Sequence, residues 1–469
     1  MKFLFLILIL TQVSVSYADE LTTKLKSIIK KHHFNENTLG LYIEEEGSEI
    51  FNINASQMMI PASLTKIVTG AAVLNSLPLN TKFETKLMAK NKIVNGVLKG
   101  DLCLKGGGDP SFVSETMWFL VNELKRTELI SIQGDLVVDS SRFDNELFDS
   151  GRESVRVDRA FDAPISAASF NWNSTNIYIR PGASAGLPAK IFLDPQSDYL
   201  ELENRTQTTL KSGIKTIQAK RVKVLDHDKI IVSGSISLDG EEAVIYKSIS
   251  NPDIWVGMHL KEFLKQRGIN IKGKVKVGSC ATDSTSLAES SSKKLNEIIS
   301  DMLKFSNNFV AEMLAKNLSA ENSTTPARMK DGIEEIKKYM DSLGLKRKDY
   351  VLENVSGLTR DNRFSAKQLA LVLNKVQNNF LLFPEFASGL PIAGVDGTLK
   401  NRMKSKNEDN IEQNLVRAKT GYLDGVVGLA GFVGRKNNSP LIFVFIFNGD
   451  YQQGLAARPL FDDLINQFK

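Results

Sequence analysis

Three short groups of residues carry side chains whose types and spacing suit nucleophilic chemistry. The first is Ser63-Leu64-Thr65-Lys66, preceded by Pro61-Ala62 and followed by the apolar run Ile67 to Leu74. That run is rich in helix-permissive residues and predicts a buried helix with Ser63 at its N-terminus. Side chains three apart share a helix face, so a hydroxyl lies beside an amine. A free serine is a poor nucleophile at neutral pH. A neighbouring amine can take its proton once burial or nearby positive charge has lowered the lysine pKa. The helix N-terminus adds partial positive charge and unpaired N–H groups that face a developing oxyanion.

The second group is Phe305-Ser306-Asn307-Asn308-Phe309, set in an apolar stretch read as one helix over 295–317. Ser306 can shuttle a proton, and Asn308 offers a donor and an acceptor to a substrate amide. Taken alone, the same residues also read as a polar loop between two helices. The third group is Arg417-Ala418-Lys419-Thr420-Gly421-Tyr422, ahead of a strand-like run. Lys419 can hold a carboxylate, Thr420 can hydrogen-bond it, and Gly421 lets the backbone approach a ligand. Alone, this group reads equally as a surface lysine before a turn. The four histidines, His32, His33, His227 and His259, form no His-Glu-x-x-His. Adjacent His32-His33 reads as the solvated face of a lysine-rich helix, and neither a metal nor a cofactor is expected.

The chain that must bring these groups together has 469 residues, room for two or three domains. Its 42 % apolar and 24 % charged content is ordinary for a soluble globular protein. The net charge of +5 fits attraction to an anionic polymer or a membrane surface but singles out neither, and no nucleic-acid partner is expected. Lys2, the apolar run Phe3 to Leu10 and Ser16-Tyr17-Ala18 read as a secretory signal over 1–18, cleaved after Ala18. The apolar run is too short to span a bilayer, so stable membrane insertion is not expected. Cys103 and Cys280 are the only cysteines. Their separation leaves both a disulfide and two buried thiols open.

Helical periodicity is present at 24–33, 114–125, 253–266, 326–343 and 365–377. Leu39 to Glu45 and Glu49 to Ile53 flank Gly47-Ser48 as a β-hairpin. From about Asn80 to Ile245 short strands alternate with turns, and Lys190 to Ser235 reads as a smaller strand-rich insert. The glycine run Gly106-Gly107-Gly108 reads as a tight turn, because no Gly-Lys-Ser/Thr follows it. Segments 425–433 and 441–447 read as central strands. The terminal amphipathic helix, 454–468, suits either packing on the sheet or contact with a membrane surface.

The ordered set Ser-x-x-Lys, Ser-x-Asn, Lys-Thr-Gly resembles that of penicillin-binding proteins and class A β-lactamases. The long separation of Ser63 from Ser306 narrows the likeness. So do Asp109-Pro110, Val355-Ser356-Gly357-Leu358-Thr359-Arg360, Leu390 to Leu399, and Leu429-Ala430-Gly431-Phe432. Together these resemble the class C low-molecular-mass penicillin-binding proteins, of the penicillin-binding protein four type, from about Leu21 onward. The resemblance implies an α/β (α+β) fold: a transpeptidase-like sheet flanked by helices, with nested β-rich inserted domains. The expected division is a catalytic domain over 19–80 and 250–469, a second domain over 81–185 and 240–249, and a third over 186–239. The implied activity is that of a serine-type D-Ala-D-Ala carboxypeptidase and DD-endopeptidase acting on peptidoglycan in the periplasm, acylated by β-lactams. A homodimer is left open.

By motif, the resemblance implies Ser63 as nucleophile and Lys66 as its base. Ser306 and Asn308 would line the cleft, with Lys419 and Thr420 on the terminal carboxylate. The backbone N–H groups of Ser63 and Tyr422 would form the oxyanion hole. Phe161, Arg360 and Asp424 fall near segments that flank the cleft in similar proteins and are candidates for reading the stem peptide. Asn307 stands where some relatives carry Asp, with no loss of activity expected. Asp424 stands where relatives often carry an amide. Two other functions fit the same residues. A β-lactamase would need a second base to hydrolyse the acyl-enzyme, and a catalytically silent wall-binding protein would have no need of Lys66.

Overall fold

A computed structural model describes residues 20–149, 157–322, 326–404, 415–435 and 438–468. The expected signal peptide, 1–18, lies outside them. Both ends of the chain meet in one antiparallel sheet, in the order Val416–Leu423, Val426–Arg435, Asn438–Asn448, Leu39–Glu45, Ser48–Ile53. Alternation along the third strand explains its continuous apolar run. Ile442, Val444 and Ile446 face one core, while Phe443, Phe445 and Phe447 face the other. With side chains alternating between faces, a strand apolar at every position is covered on both sides. Here one cover is the Thr65–Ser76 helix with the helices between 295 and 377. The other is the 20–31 helix and the terminal Tyr451–Ile465 helix, whose Leu460, Phe461 and Leu464 are buried against the sheet. The terminal helix therefore packs on the sheet. His32, expected on a solvated face, meets Asp463 of that helix at 2.8 Å.

Among the described residues four further sheets, of five, four, three and three strands, lie between the chain ends. The strand Thr285–Ser291 pairs with Glu84–Ala89, and Val275–Val277 pairs with Leu136–Asp139. The Pro252–Gln266 helix packs into the same core through Trp255, Val256 and Leu260. Residues 252–291 thus belong with the inserted layer by packing, and the chain returns to the first layer at about residue 292, not at 250. Similarly, Lys190–Asp194 pairs with Ser174–Arg180, so the nested insert shares a sheet with residues outside 186–239. Cys103 and Cys280, left open by the sequence, are joined by a disulfide across this layer.

The helix expected over 295–317 is two helices, Leu295–Lys304 and Asn308–Asn322. Ser306 between them stands at φ +55, and Asn307 Oδ1 accepts from the Val310 N–H at 3.2 Å. Ser and Asn compete locally for backbone groups, which favours a break and a cap over a continuous helix. Asn and Asp are equally good caps, so the Asn307 difference leaves this turn intact.

A second unusual turn lies in the inserted layer. Asn171, Trp172 and Asn173 stand consecutively at φ +48, +51 and +50. Left-handed backbone costs roughly 1–2 kcal/mol per residue, least for Asn.

Candidate active site

Ser63 sits in a short 3-10 turn, Ala62–Leu64, that runs directly into the Thr65–Ser76 helix. Ala62 before it holds φ +47, a region that non-glycine residues enter only under constraint. Two glycines from distant segments press on this turn. A Cβ on Gly357, itself at φ +77, would stand 2.0 Å from the Ala62 carbonyl oxygen. One on Gly421 would meet the Pro61 carbonyl oxygen at 2.9 Å. The bare Cα of Gly421 lets the Pro61–Ser63 turn lie against the strand. Lys419, Thr420 and Gly421 lie within that strand, Val416–Leu423, and not ahead of one.

Lys66 is fully buried, and its Nζ donates to Ser63 Oγ at 3.2 Å, Asn308 Oδ1 at 2.7 Å and the Ser356 carbonyl at 2.5 Å. Asn308 Nδ2 donates in turn to the Phe161 carbonyl at 3.0 Å. On the other side Lys419 Nζ donates to Ser306 Oγ at 2.7 Å and the Thr420 carbonyl at 2.7 Å. Lys419 is also fully buried, and its pKa falls well below the ordinary lysine value, first through burial and then through the charge of Lys66. Thr420 Oγ1 donates to Thr398 Oγ1 at 2.8 Å. The three motifs, drawn from the beginning, middle and end of the chain, therefore converge.

Ser63, Ser306, Asn308 and Tyr422 line one cavity of about 620 Å³, with Lys66 and Lys419 buried behind its wall. Phe161, Arg360 and Asp424 line the same cavity. Arg360 Nη2 donates to the Asp424 carbonyl at 2.6 Å, which ties two candidate stem-reading residues to each other.

The sequence reading missed the support behind this wall. Thr69 Oγ1 donates to the Val355 carbonyl at 2.7 Å, and Asn362 Nδ2 donates to Thr65 Oγ1 at 3.2 Å. These bonds fix the 355–362 segment to the helix that follows Ser63. Ser356 Oγ donates to the fully buried Glu312 at 3.0 Å. A carboxylate in the apolar run Phe309-Val310-Ala311-Glu312-Met313-Leu314 was the available signal, since buried charge demands partners. Thr398 gave no comparable signal.

Comparison with known proteins agrees with this geometry. The chain is 29 % identical over 418 residues to the D-alanyl-D-alanine carboxypeptidase of Actinomadura sp. (strain R39), covering 86 % of this chain and 76 % of that one. It is 28 % identical over 403 residues to the D-alanyl-D-alanine carboxypeptidase DacB of Haemophilus influenzae, covering 85 % and 82 %. The crystal structure of penicillin-binding protein 4 from Haemophilus influenzae superposes with a TM-score of 0.79 at 25 % identity, over 94 % of this chain and 99 % of that one. That protein has also been seen in complex with a β-lactam. The model of the D-Ala-D-Ala carboxypeptidase 3 (S13) family matches residues 21–466, and the chain belongs to that family of peptidases.

Proposed function

We propose that the protein is a serine-type D-Ala-D-Ala carboxypeptidase working through an acyl-enzyme on Ser63. The observation that carries this reading is the pairing of Ser63 Oγ with Lys66 Nζ at 3.2 Å in a cavity shared with Ser306, Asn308 and Tyr422. Lys66 first gives up one proton of its ammonium, and the neutral amine then takes the Ser63 proton while Oγ attacks the carbonyl between two D-alanines. The oxyanion forms against the backbone N–H groups of Ser63 and Tyr422; losing one such donor costs about 10²–10³ in rate. Ser306 or Lys66 returns the proton to the departing amine, and water then hydrolyses the ester. Lys419 and Thr420 hold the terminal carboxylate, and Asn308 orients the peptide.

The same chemistry would cut a crosslink when the leaving amine belongs to a second stem, so we assign DD-endopeptidase action to the same serine. Phe161, Arg360 and Asp424 are assigned to the stem's side chains. Peptidoglycan as substrate, β-lactams as acylating inhibitors and the periplasm as compartment follow from this reading. So does a catalytic unit built from the chain ends around nested inserts. The likeness to a protein seen with a β-lactam supports it.

Labelled penicillin followed by intact-mass analysis tests the reading. Stoichiometric capture by the wild type and none by Ser63→Ala is expected. Labelling that survives Ser63→Ala would overturn the assignment, and rapid penicillin turnover would favour a β-lactamase. Defined crosslinked muropeptides, analysed by product mass, separate loss of D-alanine from crosslink scission.

A further inference from the structure

The catalytic cavity shares Phe161, Ser306 and Asn308 with a larger groove of about 1220 Å³ that continues along the inserted layers. Its walls carry Trp172, Phe119 and Tyr246, all with solvent-exposed rings. Eight serine and threonine side chains line it as well. Four charged side chains line it: Lys293 and Asp301 pair with each other at 2.8 Å, and Glu115 and Asp194 leave an excess of two carboxylates. Exposed aromatic faces among hydroxyls, with carboxylates in excess and no cation left over to hold an anion, suit an uncharged, hydroxyl-rich ligand with flat apolar faces. A pyranose ring has that character: its axial C–H groups meet the negative face of an aromatic ring while its polar rim hydrogen-bonds outward.

Trp172 is held in this wall by an unusual backbone. It stands between Asn171 and Asn173, all three at left-handed φ. Asn171 is locked to the neighbouring helix start: its Oδ1 accepts from the Ser114 N–H at 3.0 Å and its Nδ2 donates to Ser114 Oγ at 3.0 Å. Asn173 is fully buried, and its Nδ2 donates to the Pro164 carbonyl at 2.9 Å and Ser169 Oγ at 2.8 Å. Two asparagines thus over-determine a strained turn whose middle residue is a half-exposed indole. Strain kept in place by its surroundings concentrates where ligands are held.

We infer that this groove binds the glycan part of peptidoglycan, with Trp172 as the platform on which an amino-sugar ring stacks while the attached stem peptide enters the catalytic cavity. The inference rests on the peptidoglycan reading above and adds to it a carbohydrate subsite.

Binding of peptide-free glycan chains to full-length Ser63→Ala protein, followed by tryptophan fluorescence or calorimetry, tests the subsite without any turnover. Saturable binding is expected, weakened about tenfold by adding Trp172→Ala and retained by Trp172→Phe. Absence of binding, or equal affinity in Trp172→Ala, would overturn the inference. In the active protein, the ratio of kcat/KM for a disaccharide-pentapeptide to that for the sugar-free pentapeptide should fall about five- to tenfold in Trp172→Ala. An unchanged ratio, including one in which both substrates suffer equally, counts against it. Failure of the carboxypeptidase reading would appear separately, as no D-alanine release from either substrate by the wild type.

Discussion

Lys66 and Asn308 are joined by a 2.7 Å hydrogen bond across 242 residues of sequence. Asn308 cannot swing to strengthen or drop that bond, because its amide is anchored on the Phe161 carbonyl. Asn308→Asp replaces a neutral acceptor with a carboxylate, which favours the ammonium form of Lys66. It also removes the donor to Phe161. Acylation by a fluorescent penicillin should slow about a hundredfold, the low end of what a general base contributes. A stopped-flow rate within threefold of wild type would mean that Lys66 does not act as the neutral base.

Lys419 sets a pH dependence of the opposite kind. Burial, and then the charge of Lys66, lower its pKa well below 10.5, so the free protein gives up this proton earlier than an ordinary lysine would. A bound carboxylate favours the ammonium form. Binding therefore takes up a proton above the free-protein pKa, and kcat/KM falls as pH rises through it. The alkaline limb for a D-Ala-D-Ala peptide should lie well below 10.5 and move upward in Lys419→Arg. A limb unchanged by that substitution would assign it to another group.

His259 is predicted to contribute to acid sensitivity. Its Nδ1–H donates to the Trp255 carbonyl at 2.8 Å, and burial lowers its pKa from 6.5 to about 4. Between those values the unfolded chain binds the proton and the folded one does not. The stability it contributes is whole above 6.5 and lost as pH falls toward 4, about 2 kcal/mol of it by pH 5. Asp109 opposes this. Burial raises its pKa from 3.8 to about 6, so stability is gained as pH falls through that window. Denaturant melts at pH 7.5 and pH 5 should show His259→Gln losing about 2 kcal/mol less than wild type. An equal loss in the two proteins would refute it.

Gly357 leaves no room for a side chain beside the Ala62–Ser63 backbone. Gly357→Ala puts a Cβ 2.0 Å from the Ala62 carbonyl oxygen at a φ of +77. Left-handed strain and the clash together should cost about 2–3 kcal/mol and displace Ser63. Both a lowered melting temperature and slower penicillin capture are expected. Unchanged capture would mean that the Ala62–Leu64 turn tolerates displacement.

Local chemistry was legible in the sequence wherever one segment decides the outcome. The apolar run after Lys66 makes its helix, and the hairpin around Gly47-Ser48 forms as its residues suggest. The three motifs could be named because each is a short string. What could not be read was set by contacts between segments. The break at Ser306 comes from a cap that competes with an otherwise helical run. The late return at about 292 comes from strands 275–277 and 285–291 finding partners far upstream. Nothing local at Gly421 announces that Pro61 lies against it.

Leu39 pairs with Phe447, and Tyr42 with Val444. During synthesis, then, the strand that precedes Ser63 can pair at once with Ser48–Ile53 but waits for its other neighbour, Asn438–Asn448, while the layers between 84 and 291 have their own sheets to close. A ribosome that has already made Ser63 and Lys66 still holds an inert chain, because Lys419 and the neighbouring strands of its sheet do not yet exist. The order of assembly thus acts as a timer: a hydrolase built this way acquires its cutting edge only after the segment that carries Lys419 has been made.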